Sequence, residues 1–451
     1  MKMTISAITA NIFSKLGSNT SLLPIAAKDC SHSLGLTTAS YITGDKIEGK
    51  DRLIDEFGTQ AIWLGGIPFY KKVIDNTVYK LAKHNASLDT RVMNDPKILA
   101  KAIFHAPTPE IAKSIQKASD NIKTFKGLAL VKFVAATALT LGSYAGLTTY
   151  RHNQTEKAII KEIQKEEQTK KANQEFIKNK QNLKNLAFSS LANIPTKQKS
   201  LSFGMNMAAG LKDFMFNPVK NMMIVDGGIT AERLKDSRNP QDFLGYVIKE
   251  GSFWAFMYYV GPKIQEHFEN KAQTKNNKNI NLDIRVLQDA EFKTSLSEKV
   301  PNSNLTKMEA SLQEFAKTKT DEEVYEFVCD PKNKENLVVK MAKKSEIIDE
   351  YKKTGMVDTQ KFIDLKEVTG VHSKIKTLME QQKNSQESIE EFMKKVVSLK
   401  KGSIAKNLGT CMGVLGLVVP GVMLAMRFAN KDNTEFQVKK QIKEKMLNQT
   451  V

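Results

Sequence analysis

The sequence predicts an all-α fold: a membrane-associated helical protein built from two divergent tandem repeats, with a soluble helical insert in the second. Three observations predict it. Strand-like alternation is scarce along the 451 residues, while apolar residues recur at helical spacing. Two uncharged segments are long enough to cross a bilayer. One pattern, Leu-Asp-x-Arg-Val-x-x-Asp, occurs at 88–95 and again at 282–289.

Composition narrows the class. Charged residues make up 26% of the chain and hydrophobic residues 41%, an ordinary balance for a folded protein, and the length suits two or three domains. The formal net charge of +19 is not ordinary. It points to anionic partners, namely lipid headgroups or an acidic protein, with solvated lysine-rich helices as the alternative. Nucleic acid is a weaker expectation. Such a site would interleave aromatics with its cations, and here the aromatics gather in the apolar segments. Cys30, Cys329 and Cys411 are far apart, with no CxxC. They form neither a disulfide framework nor a zinc site, and they suit a reducing compartment. The histidines are scattered singly, without ligand spacing. No metal or cofactor is expected.

The elements follow in chain order. Residues 1–50 form an amphipathic or irregular lead-in to the first repeat. Thr, Ser and Asn interrupt the apolar run near the start, and no clear cleavage site follows. The first repeat covers 51–150. It holds a short aromatic segment, FGTQAIWLGGIPFY at 57–70. At about 1.5 Å per residue this is short for a bilayer core of about 30 Å. An interfacial or re-entrant helix would place Trp63 and Tyr70 at the headgroup boundary; a core helix ended by proline is the alternative. Asp95-Pro96 reads as a helix start. The repeat ends in an uncharged stretch at 133–150, FVAATALTLGSYAGLTTY, with Lys126 and Arg151 around it. A basic polar linker, 151–200, carries Glu and Lys at helical spacing.

The second repeat opens over 201–297. Its short aromatic segment, GSFWAFMYYVGP at 251–262, contributes Trp254, Tyr258 and Tyr259 as further interface aromatics. The insert, 298–400, shows a capping box from Thr320 to Glu323 and a second Asp-Pro start at Asp330. Met308, Leu312 and Phe315 mark one apolar face; Ile389, Phe392, Met393 and Val396 mark another. A second uncharged stretch, 407–426, lies within 401–427 between Lys406 and Arg427. Gly and Ser in both long stretches suit close helix contact, and Pro420 is tolerable in lipid. A buried helix of a soluble core is the alternative for both. Residues 428–451 form a basic tail.

The duplication is read by shifting the chain by 194. Residues 52–95 and 246–289 then match at 11 of 44 positions, among them Ile54, Glu56, Pro68, Asn85 and the Leu-Asp-x-Arg-Val-x-x-Asp set. Upstream, Pro24 and the GLT at 35–37 answer Pro218 and the GIT at 228–230. Downstream, Thr155-Glu156 answers Thr434-Glu435 at an offset of 279, so about 85 extra residues fall within 298–400. Such a long period fits gene duplication rather than a solenoid. The copies are inverted across a membrane, or the short aromatic segments complete hairpins, or nothing spans at all.

No Walker loop, dinucleotide-binding glycine pattern, HExxH or GxSxG occurs, so no catalytic residue is expected. The candidate organising residues are Glu56, Asp89, Arg91 and Asp95, with Glu250, Asp283, Arg285 and Asp289. Arg91 is expected to pair with Glu56 or Asp89, and Arg285 with Glu250 or Asp283. Asp95 is expected to cap a helix. A ligand or proton-relay role is the alternative for this set. The functional expectation is a membrane scaffold or interaction protein in a bacterial-type inner membrane, its basic surface facing anionic lipid or an acidic partner. The alternatives are a transporter or homo-oligomeric pore at the repeat interface, and then a nucleic-acid-binding protein.

Overall fold

The computed structural model describes residues 5–18, 21–42, 46–178, 215–237, 240–296, 303–429, 439–440 and 442. Thr434-Glu435, most of the basic tail and the end of the linker lie outside the described residues. The fold is predominantly helical. Among the described residues the only strands are Glu350–Tyr351 and Met356–Val357, one antiparallel hairpin. Gly355 turns it at φ +67°, where a side chain would be strained.

The helices are α1 (Ile5–Leu16), α2 (Leu23–Ile42), α3 (Lys46–Ile74), α4 (Pro96–Phe104), α5 (Pro109–Asp120), α6 (Ile122–Lys178), α7 (Pro218–Lys235), α8 (Pro240–Trp254) and α9 (Val260–Asn276). They continue as α10 (Ile284–Leu287), α11 (Ala290–Ser295), α12 (Ser303–Phe315), α13 (Asp321–Cys329), α14 (Leu337–Lys344), α15 (Leu365–Lys383), α16 (Ile389–Gly413) and α17 (Val419–Ala429). One wide π-turn extends α3 over Asp75–Tyr79; others join α8 to α9 over Ala255–Tyr259 and α16 to α17 over Val414–Val418.

The two short aromatic segments are therefore parts of long helices, and neither stops at its proline. Pro68 lies inside α3. A proline ring clashes with the carbonyl four residues earlier. For Pro262 and Pro420 those residues are Tyr258 and Gly416, and both fall in the wide turns. The extra residue per turn accommodates the ring.

The chain divides into two compact units, each made of three stretches. Unit 1 is 1–24, 68–136 and 260–410; unit 2 is 25–67, 137–259 and 411–451. Unit 1 is organised around an apolar core. Ile98, Ile115, Phe125, Phe292, Tyr325, Val338, Ile375 and Phe392 are all buried in it. Met308, Leu312, Phe315, Met393 and Val396 join them, with Ile389 at the edge. Caps start its helices as their sequences dictate. Thr320 and Glu323 form the reciprocal box at the start of α13, and Asp95 accepts from the Lys97 amide at the start of α4. Asp330 caps a single tight turn, Pro331–Glu335.

Unit 2 keeps apolar residues such as Ile25, Trp63 and Ile229 inside, but it buries a charged network beside them. Its interior holds Asp51, Arg52, Asp55, Glu56, Arg151, Arg233, Lys249 and Glu250, none more than 8% exposed. Its outside carries Leu34, Leu53, Leu139, Phe243, Val247, Leu417, Val418 and Phe428, all more than 40% exposed. The helices approach closely. A side chain at Gly35 of α2 would meet the Gly416 carbonyl, and one at Gly66 of α3 would meet Thr140 of α6. Among the described residues two helices are long and apolar enough to cross a membrane, within Ile122–Thr169 and Ile389–Met426; their apolar windows are only 28% and 33% buried.

Candidate functional site

In unit 1 the repeated pattern folds into the same device twice. Asp89 accepts from the Arg91 amide at 2.9 Å and takes the same residue's guanidinium at 2.7 Å. Asp283 accepts from the Arg285 amide at 2.8 Å and the guanidinium at 2.9 Å. Each aspartate thus fixes a turn and clamps the arginine two residues on. Burial alone would raise the Asp283 carboxyl, but bonds from Arg285 and from the Ser14 hydroxyl hold it below the usual carboxylate range. Asp289 caps α11 through the Phe292 amide and pairs with Lys344.

The likeness extends beyond the motif. Lys83 and Asn277, 194 apart, both take positive φ, at 54° and 47°. Asn85 accepts from the Ser87 amide at 2.9 Å, and Asn279 from the Asn281 amide at 2.9 Å. Asp75 pairs with Lys132 at 2.5 Å, and its counterpart Glu269 with Lys400 at 2.7 Å. The asparagine matches carry little weight as sequence in a chain rich in Asn. As structure they are the same turn.

Glu56 and Glu250 belong to unit 2 and pair with neither of those arginines. They stand in the charged interior, whose centre is Asp55. Asp55 receives Arg151 at 3.0 Å, Arg233 at 3.1 Å, Lys249 at 3.6 Å and Arg52 at 3.7 Å. Lys249 lies 2.7 Å from Glu56 and 3.5 Å from Glu250. Arg233 also pairs with Glu250, and reaches Thr59 at 3.0 Å and the Tyr144 hydroxyl at 2.8 Å. Asp51 accepts from the Thr155 hydroxyl at 2.6 Å. Buried charges persist only when paired in this way.

The aromatics have separate places. Trp63 is 2% exposed and donates to Asp29 at 3.1 Å. Trp254 donates to the Thr230 hydroxyl at 3.1 Å, and the Tyr258 hydroxyl bonds to Asp226. Tyr259 is 57% exposed, while Tyr70 packs against the unit 1 core. A small cavity of about 20 Å³ is lined by Asp29, Glu56, Thr59, Trp63, Asp226, Arg233, Lys249 and Glu250, with Ile229 and Phe253.

Sequence reasoning missed Asp29, Asp55, Arg151, Asp226, Arg233 and Lys249. Arg151 reads as the cation that ends an apolar stretch, yet it is 2% exposed inside the network. Asp55 and Lys249 count as a mismatch in the shifted comparison. The available signal was a lone aspartate inside an apolar helix, in IAAKDCSHSLG and again in NMMIVDGGIT. Comparison with known proteins finds no matching family model, curated protein or solved structure.

Proposed function

We propose that the protein is an integral membrane protein. Unit 2 is embedded in lipid as two related three-helix copies. Unit 1 is a water-facing helical body that engages anionic headgroups or an acidic partner. The observation that carries this is the charged network buried in unit 2 together with its apolar outside. In water such a unit would hide its charges and expose its large apolar side chains. In lipid the same arrangement is required, because ionisable groups face the bundle interior and find each other there. The cations of a chain with net charge +19 suit an anionic leaflet.

The copy relation is supported by how each copy threads the units. The first leaves unit 2 after 67 and returns at 137; the second leaves after 259 and returns at 411. Both Leu-Asp-x-Arg-Val patterns therefore belong to unit 1, which favours parallel copies. Counterparts also meet. Arg52 lies over the ring of Tyr246, 194 residues on, at 5.8 Å, and Asp55 meets Lys249, also 194 on, at 3.6 Å. Ile163 and Ile442, 279 apart, share one cluster. Residues near a two-fold axis meet their own equivalents.

Alkaline carbonate extraction of membranes containing the full chain tests the reading. The expected result is retention in the pellet. Release into the supernatant would sink it and make the apolar helices core. A second reading, ion handling, is favoured by the cavity. At about 20 Å³ it has room for a water.

A further inference from the structure

Unit 2 has more carboxylates than its cations pair. Asp51, Asp55, Glu56 and Glu250 are each ion-paired. Asp29 on α2 and Asp226 on α7 are not, among the described residues, although they are only 7% and 5% exposed. Each accepts one hydrogen bond, at Oδ2: Asp29 from the Trp63 indole and Asp226 from the Tyr258 hydroxyl. The Oδ1 of each has no donor among the described residues. Both carboxyls line the one-water cavity.

No cation among the described residues forms a direct ion pair with either carboxyl, although Arg233 and Lys249 line the same cavity. On α2, Lys28 turns its ammonium to the Phe256 carbonyl at 3.4 Å, and His32 stacks on Phe253. On α3, Asp55 and Glu56 add negative charge. On α7 and α8, Arg233 and Lys249 face the cavity but are committed to Asp55, Glu56 and Glu250. Among the described residues no three His, Cys, Asp or Glu side chains converge as metal ligands. An ionised carboxylate held away from water without a counter-charge is strongly disfavoured, and the group neutralises instead. The species that can neutralise it here is a proton.

We propose that Asp29 and Asp226 form a proton-binding site. Each carboxyl takes up a proton on its Oδ1, with the indole or phenol donating to Oδ2. On alkalinisation the O–H bond breaks, its electron pair stays on the carboxylate, and the proton passes to hydroxide from the solvent, giving water. The carboxylate left behind faces Arg233 and Lys249, which limit the energy of the charged state. This rests on the membrane reading of unit 2 and names the ion of that interior.

The test is infrared difference spectroscopy of the full chain in lipid nanodiscs, between neutral and alkaline pH. The expected result is the carbonyl stretch of a buried carboxylic acid at neutral pH. It should disappear on alkalinisation and fall by about half in Asp29→Asn and in Asp226→Asn. Two outcomes overturn the proposal: a wild-type protein of full helical content with no such band, or a band undiminished in the double variant. If the Asn variants do not fold, Trp254→Phe leaves Trp63 as the sole tryptophan, bonded to Asp29. Its emission must then shift with the titration; a flat response overturns the proposal. Carbonate release of a protein that keeps the band would remove the membrane reading alone.

Discussion

Arg233 shows what single residues do in this molecule. It bonds to Asp55, Glu250, Thr59 and Tyr144 at once. Arg233→Met keeps the bulk and removes the charge, leaving two buried carboxylates short of a partner. The expected loss of stability is roughly 3–5 kcal/mol, read as a lower unfolding midpoint in lipid. Asp283 acts on the acid side. Its folded-state affinity for protons is depressed by Arg285 and Ser14, so its contribution is full above the ordinary aspartate range. That contribution is lost as pH falls through the lower folded-state value. Asp283→Asn should therefore lower stability at neutral pH and flatten the decline below about pH 4; an unchanged acid limb would contradict the assignment. Asp89, Arg91 and Asp95 were legible in the sequence, because a turn-forming Asp and an Asp before Pro state their local roles. Asp55 and Lys249 were not. Their roles depend on helices from four separate parts of the chain.

At the scale of elements, close packing decides. Ser31 bonds to the Met412 carbonyl at 3.1 Å, and Gly35 lies one turn on, against Gly416. Gly35→Leu should separate these helices at a cost of about 1–3 kcal/mol, while Gly65→Leu, which meets open space, should be tolerated. Equal midpoints for the two variants would refute the contact. In unit 1, Thr320→Ala removes one half of the capping box and should cost about 1 kcal/mol, measured in the same way. Helix starts were readable because a cap is a local event of three or four residues. Helix ends at proline were misread. Proline is no sure stop in these helices: Pro68 lies within α3, and at Pro262 and Pro420 the turns at 255–259 and 414–418 widen the backbone.

At the scale of the molecule, the proposed membrane reading with parallel copies would place both Leu-Asp-x-Arg-Val patterns on one side of the membrane. Lys80 and Thr274, which are counterparts, are both exposed. In a background lacking the three cysteines, Lys80→Cys and Thr274→Cys should be labelled by an impermeant maleimide from the same side of sealed vesicles. Labelling from opposite sides would require inverted copies. The repeated pattern was legible as eleven identities, but the sense of the proposed copies was not, because direction across a membrane is absent from a pairwise comparison. The meeting of Asp55 with Lys249 has a consequence for ancestry. On the two-copy reading, an ancestor of two identical halves had one residue type at both places, and like charges there would repel inside the bundle. Acid on one half and base on the other is a lock with a distinct key. It makes each half dependent on its unlike twin, so the fusion cannot revert to a symmetric pair. Residues 1–178 and 215–451, expressed as separate chains, should accumulate together and be degraded apart.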